Sequence, residues 1–258
     1  MTRTTAPSPS AGWSLFLDVD GTLLEFTDSP EETRTDEALR RLLAEVRDAL
    51  DGRLALISGR SISRLDELFA PLRLAAAGLH GAERRHADGR IELAPIDRAA
   101  LDPARRSLAS LVSTRPGLRF EDKGLGLALH FRDRPELATG ARESIEEACA
   151  RLSGDFAVQP GDWVFEIKPR ACTKGTAVAA FLAEPPFSRG TPVFVGDDLT
   201  DLDGFRCVER HGGHSVAVGT RVRAQWWLEG PAAVRAWLAG IVDAARSGSV
   251  GAPARISR

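Results

Sequence analysis

The chain has no tyrosine and no asparagine, one methionine, three cysteines and only three lysines. The cysteines, Cys149, Cys172 and Cys207, are odd in number and lack metal-ligand spacing. That argues against a structural zinc site and suits buried thiols in a reducing compartment. No apolar run reaches membrane-spanning length, so no membrane partner is expected. The opening segment, Met1 to Gly12, lacks the apolar stretch of a signal peptide, and a cytoplasmic protein is expected. The formal net charge is −2, which excludes a global surface for nucleic acid. Arginine outnumbers lysine 31 to three, a bias that GC-rich coding explains. Lys123, Lys168 and Lys174 stand out against it.

What is present is a folded composition: 258 residues, 43% hydrophobic and 27% charged, enough for one large or two smaller domains. Apolar runs near Leu15–Leu17, Arg53–Ile57 and Leu72–Ala77 alternate with helical periodicity, as in Leu39, Leu42, Leu43, Val46 and Leu50. That alternation implies a doubly wound parallel α/β sheet. Near Leu101 the pattern changes to helix, strand, strand, twice over. The helices are expected over Pro103–Ser113 and Pro135–Leu152. The strands are expected over Leu118–Glu121, Leu125–Phe131, Phe156–Gln159 and Trp163–Ile167. We read 101–171 as an inserted α+β domain and 13–100 with 172–246 as the core. The ends, 1–12 and 247–258, read as disordered tails. The pattern of the core resumes with a helix after Lys174, strands Thr191–Val195 and Ser215–Val218, and a closing helix, Pro231–Ala245.

The most informative run is Leu15-Phe16-Leu17-Asp18-Val19-Asp20-Gly21-Thr22. An apolar strand ends in two carboxylates two residues apart, hence on one side of its tip. Open α/β sheets place their ligands at these carboxyl ends. Adjacent carboxylates repel unless a cation or shared proton lies between them. Gly21 permits a turn whose amides can form an anion nest. Hard oxygens for a cation beside amides for an anion suggest phosphoryl transfer with Mg²⁺. Asp-x-Asp-Gly is also an ordinary turn composition. Further polar groups end the other strands or open a helix: Ser58-Gly59-Arg60, Gly78-Leu79-His80-Gly81, Lys174, and Gly196-Asp197-Asp198-Leu199-Thr200-Asp201.

In this order the motifs Asp18-Val19-Asp20-Gly21-Thr22, Ser58, Lys174-Gly175 and Gly196-Asp197-Asp198-Leu199-Thr200-Asp201 resemble the haloacid dehalogenase superfamily of phosphatases. With Gly78-Leu79-His80-Gly81-Ala82-Glu83, Leu127-Ala128-Leu129-His130-Phe131-Arg132 and Phe165-Glu166-Ile167-Lys168-Pro169, the chain is similar over Trp13 to Leu238 to the trehalose-6-phosphate phosphatase family. Two departures stand out. Leu202 follows the last Asp where the family often has Glu, and Glu25 to Arg34 lacks the family's usual Pro-rich stretch.

The resemblance implies a Rossmann-like core with an inserted cap and a Mg²⁺-dependent phosphatase acting on trehalose 6-phosphate. Asp18 is then the nucleophile that forms an aspartyl-phosphate, and Asp20 the general acid and base. Asp18, the Asp20 carbonyl and Asp197 hold Mg²⁺. Ser58, Lys174 and the amides of Val19 to Gly21 hold phosphoryl oxygens, with Gly59 and Arg60 beside them. Asp198 and Asp201 orient Lys174 and metal-bound water, or else simply cap a helix. The cap groups Lys123, His130, Arg132, Glu166 and Lys168 suit a ligand covered in hydroxyls, or are solvated charges. His80 lines the cleft or locks its turn. Rival readings are a phosphatase for sucrose phosphate or mannosyl-glycerate phosphate, or a silent sugar-phosphate sensor. The oligomeric state is open, and a monomer fits.

Overall fold

The computed structural model describes residues 6–25 and 34–249. It divides into two units, Met1–Glu92 with Thr173–Arg258, and Leu93–Cys172. In chain order come β1 (Trp13–Leu17), α1 (Glu37–Ala49), β2 (Leu54–Ile57), α2 (Ile62–Phe69), β3 (Ala75–Gly78), β4 (Glu83–Arg85) and β5 (Ile91–Leu93). The second unit contributes α3 (Asp102–Thr114), β6 (Arg119–Asp122), β7 (Leu127–His130), α4 (Ala138–Ala150), β8 (Phe156–Gly161) and β9 (Val164–Pro169). The chain returns through α5 (Lys174–Leu182), β10 (Thr191–Gly196), α6 (Asp201–Arg210), β11 (His214–Val218), β12 (Trp226–Leu228) and α7 (Pro231–Ser249).

The first unit is built on an eight-stranded sheet in the order β12-β11-β10-β1-β2-β3-β4-β5. From β12 to β3 the strands are parallel, and β4 turns back antiparallel to β3. β1 lies at the centre, in register with β10 from Trp13 opposite Thr191 to Leu17 opposite Val195. Its continuous apolar run follows from cover on both faces. Leu15 and Leu17 pack into a cluster with Leu39, Leu43 and Val46 of α1 and Val234 and Leu238 of α7. Phe16 points the other way, among Phe181, Phe187, Phe194 and Phe205. Local caps fix the helix starts: Asp36 accepts from the Leu39 N–H at 2.6 Å, and Thr173 and Thr176 form a reciprocal box at the start of α5.

The second unit is a four-stranded antiparallel sheet, β6-β7-β9-β8. One face packs Leu127, Leu129 and Ile167 against Leu108 of α3 and Ala141 and Ile145 of α4. The register sets Glu121 and Glu166 opposite Ala128, and Gln159 beyond Glu166, so these polar residues share the other face. Leu127, Ala128 and Leu129 are all buried, which accounts for a strand that reads as apolar on both sides.

Several boundaries differ from expectation. The first tail is described from Ala6 onward and is packed rather than loose. The Trp237 indole donates to the Pro7 carbonyl at 2.9 Å, and Arg53 donates to the Ala11 carbonyl at 2.8 Å. α7 continues to Ser249, and 250–258 lie outside the described residues, as does most of the Glu25–Arg34 stretch. The second unit begins at Leu93 rather than 101. β3 starts at Ala75 because Leu72 is held in a turn by the Phe69 carbonyl, 2.9 Å away. The helix expected from Pro135 opens as a 3₁₀ turn, Pro135–Leu137, and α4 ends at Ala150. Strands β4, β5 and β12, of three residues each, are too short for a periodic signal.

Candidate active site

The tip of β1 meets the tip of β10 and the first turn of α5 around Asp18. The Asp18 N–H donates to the Val195 carbonyl at 2.9 Å, which extends the β1–β10 pairing by one residue. Lys174, the first residue of α5, donates to Asp18 Oδ1 at 2.7 Å and to Asp201 Oδ1 at 2.6 Å. All three side chains are buried. Asp201 Oδ2 accepts the backbone N–H groups of Asp197 and Asp198, both at 2.9 Å. Both oxygens of Asp201 are therefore occupied, and it serves as the anchor that folds the β10–α6 loop around Lys174. Gly196 makes this possible, since a Cβ there would lie 2.3 Å from Asp201 Cγ.

Asp197 completes the group. Thr22 Oγ1 donates to its Oδ1 at 3.1 Å. Its Oδ2 is buried with no hydrogen-bond partner, and the nearest cation, Arg221 Nη1, stands 3.9 Å away. Carboxylate oxygens of Asp18, Asp197 and Asp201 lie within 4.8 Å of one another. A buried, unpaired carboxylate oxygen is costly. With Asp201 committed elsewhere, Asp18 and Asp197 remain as hard oxygen donors fit for a divalent cation.

The electrostatics carry the same imbalance. Burial, then the Asp201 carboxylate, pushes the Asp18 carboxyl well above the usual range, against the pull of Lys174. Burial, with Asp201 and Asp198, pushes Asp197 up to about 7. Burial opposes the charge of Lys174, but Asp18 and Asp201 outweigh it and hold the ammonium above its ordinary value. Three carboxylates against one buried ammonium leave a surplus of negative charge.

Asp20 turns aside from this group. Arg60 grips it in a two-pronged pair, Nε to Oδ2 at 2.8 Å and Nη2 to Oδ1 at 2.7 Å. Arg60, expected at the phosphate, is thus the partner of Asp20. Gly21 is also corrected: its N–H, expected at the anion, donates to the Leu24 carbonyl at 2.8 Å. Val19 is buried, and its carbonyl accepts from Leu23 and Leu24 in the same turn. Asp198 accepts the N–H and hydroxyl of Thr200 at 2.8 and 2.6 Å, a turn-forming role rather than the contact with Lys174 expected for it.

Ser58 is buried at the tip of β2, and its Oγ accepts the Arg60 N–H at 3.1 Å. The tip of β3 is laced to it, with the His80 N–H on the Ser58 carbonyl at 3.0 Å and the Leu79 N–H on the Arg60 carbonyl at 2.9 Å. Leu79 and His80 both take positive φ, 48° and 57°. The His80 ring occupies the space over Gly59, 2.9 Å from where a Cβ would sit. Gly59 is therefore required for packing, and His80 locks the two turns together.

In the second unit Lys123 Nζ pairs with Glu166 Oε1, and His130 Nε2 lies 2.9 Å from Glu121 Oε2. The hydrogen bond from His130 holds the Glu121 carboxyl below its usual range, against the effect of burial. Arg132 follows the end of β7 and is not in the strand with His130. Lys168 is buried and donates to the Cys172 carbonyl at 2.6 Å. Sequence reasoning missed Thr22 as the partner of Asp197, Glu121 as the partner of His130, and the Arg60–Asp20 pair. A threonine directly after the Asp-x-Asp-Gly turn was the one available signal, and it marked Thr22. Glu121 needed the strand register.

Residues 16–226 match the family model described as trehalose-phosphatase. The chain is 40% identical over 93% of its length to a trehalose-6-phosphate phosphatase of Escherichia coli, covering 91% of that protein. It is 40% identical over 82% of its length to a probable trehalose-phosphate phosphatase of Sinorhizobium fredii, covering 80% of that protein. A solved structure described as a trehalose-6-phosphate phosphatase related protein superposes with a TM-score of 0.77 at 25% identity, covering 91% of this chain and 99% of that one.

Proposed function

Because this chain belongs to the trehalose-phosphatase family, within the haloacid dehalogenase fold, we infer that it hydrolyses trehalose 6-phosphate to trehalose and phosphate. The observation that carries the reading to atoms is the buried group of Asp18, Lys174, Asp197 and Asp201. Asp18 is the nucleophile: its carboxylate attacks phosphorus, the bond to the sugar oxygen breaks, and an aspartyl-phosphate forms. Lys174 holds Asp18 in line and offsets charge on the phosphoryl oxygens. Ser58, at the neighbouring strand tip, is the hydroxyl donor for the same oxygens. Asp20, released from Arg60, gives a proton to the departing sugar oxygen and takes one from the water that cleaves the aspartyl-phosphate.

Mg²⁺ is the cofactor whose ligand preference fits Asp18, the Asp20 carbonyl and Asp197, and it would supply charge stabilisation of the transferring group. The orphaned Asp197 oxygen supports this assignment. In the second unit, the face bearing Lys123, Glu166, His130 and Glu121 is the one suited to a sugar's hydroxyls. Three free cysteines, with Cys172 and Cys207 buried, support a cytoplasmic setting. No helix among the described residues is long and apolar enough to cross a membrane.

The test is phosphate release from trehalose 6-phosphate, sucrose phosphate and mannosyl-glycerate phosphate, with and without Mg²⁺. Turnover of the trehalose ester in preference to the others is expected, lost with EDTA and restored by Mg²⁺. Full activity in rigorously metal-free protein would overturn the cation assignment, and a preference for another ester would overturn the substrate.

A further inference from the structure

Lys168 stood among the expected sugar-binding groups, and the structure gives it another partner. It lies on β9, buried, with its ammonium on the Cys172 carbonyl at 2.6 Å. Cys172 is the last residue of the second unit, and Thr173 is the first on the return to the core. The peptide bond that joins them is held from both sides. Lys168 takes its carbonyl, and its N–H donates to Thr176 Oγ1 at 2.9 Å. Thr173 Oγ1 accepts the Thr176 N–H at 3.1 Å in return, which closes the cap of α5. The preceding N–H, that of Cys172, donates to the Pro169 carbonyl at 3.1 Å. The next residue is Lys174.

A peptide unit is a rigid plane, so fixing its carbonyl and its N–H fixes its orientation. The chain leaves that plane through one residue, Thr173, before it reaches the lysine that touches Asp18. A buried ammonium on a carbonyl is a charge-assisted bond, stronger than a neutral one. The observed bond commits this buried ammonium to a backbone carbonyl at the junction of the two units. We propose that Lys168 is a positioning residue for phosphoryl transfer: by holding the Cys172–Thr173 peptide it aims Lys174 at Asp18. The inference rests on the role assigned above to Lys174.

The experiment compares the full-length chain with Lys168→Met on trehalose 6-phosphate and on p-nitrophenyl phosphate, which carries no sugar. Lys168→Met is expected to lower kcat by about 10- to 100-fold on both substrates, with KM for the sugar ester unchanged. Thr176→Val loosens the other side of the same peptide and is expected to lower kcat on both substrates too. Because both variants act on one peptide, the loss in the double variant is expected to fall short of the product of the single losses. A rise in KM for trehalose 6-phosphate alone makes Lys168 a sugar contact and overturns the proposal, as does an unchanged kcat or a full product of losses. Should Lys168→Met fail to fold, Lys168→Gln and Thr176→Val put the same question. If the wild type turns over only the aryl ester, the substrate reading fails while the kcat comparison on that ester still decides the role of Lys168. Amide exchange in the first turn of α5 gives a readout free of turnover. It is expected to quicken in Lys168→Met, and unchanged exchange counts against the proposal.

Discussion

The core and the inserted unit handle charge by different rules. In the core, Asp18 and Asp201 share one buried ammonium, and the neighbouring Asp197 Oδ2 is buried without a hydrogen bond, with Arg221 Nη1 3.9 Å away. In the inserted unit each carboxylate of the sheet face has its own cationic or imidazole partner, Glu166 with Lys123 and Glu121 with His130. A buried surplus of one sign demands a counter-ion and fixes geometry closely. Balanced, partly exposed pairs can exchange their partners for hydroxyls at small cost. The first arrangement suits chemistry, which is common to all phosphate esters. The second suits recognition of the leaving group, which is not.

The comparison breaks first at Asp18. Asp18→Asn is expected to reduce turnover by several orders of magnitude on a sugar ester and an aryl ester alike, since a carboxamide cannot carry the phosphoryl group. Substantial residual activity on either ester would remove the covalent step. Next comes Lys174→Arg, which keeps the charge but replaces a slim ammonium with a broad fork in a closed site. A fall in kcat of about 100-fold on both esters is expected, and a near-neutral result would show that charge alone suffices.

The inserted unit should respond differently. Glu166→Gln is expected to raise KM for trehalose 6-phosphate by roughly 10- to 100-fold, from the loss of a charge-assisted hydrogen bond, with the aryl ester unaffected. Equal losses on both esters would assign Glu166 to the fold instead.

The smallest effect concerns pH and distinguishes the regions by sign. Asp197, raised to about 7, binds its proton more tightly when folded than when unfolded. Its contribution to the stability of the metal-free protein therefore declines as pH climbs from the ordinary carboxylate range toward 7. Glu121, held low by His130, contributes stability above that range and loses it as pH falls through its depressed value. Melting temperatures of metal-free protein against pH test this, and Mg²⁺ above about pH 7 is expected to raise the melting point by a few degrees. A melting point indifferent to Mg²⁺ there would refute the cation site.

The strand-tip motifs were legible because each follows an apolar run whose end can be read locally, as Asp18 after Leu15-Phe16-Leu17 shows. The paired character of the site was not. The guanidinium of Arg60 looked like a phosphate ligand until the turn after β2 set it against Asp20. Asp201 left two readings open from sequence. Its place under Gly196, where it gathers two backbone amides and Lys174, depends on a close approach of chain segments. Lys168 illustrates the same limit. It lies two residues from Glu166 on β9, hence on the same face, but only the returning chain decided which acceptor it meets. The short strands β4, β5 and β12 depend on neighbours for their pairing, so their own residues announce little.

β1 and β10 are adjacent at the centre of the large sheet, yet Leu17 and its partner Val195 stand far apart in the chain. The first ends in Asp18, and the second leads into Asp197. The buried group around Asp18 therefore has no local precursor during folding. An N-terminal fragment that ends before α5 carries Asp18 but lacks both the strand beside it and Lys174. Contacts of such long sequence separation form late and slow the folding of a domain. The entropic cost of joining them grows only with the logarithm of the intervening length. A chain with this layout can accept insertions of very different size between its halves. Asp18 gains its neighbours only once α5 and β10 are in place.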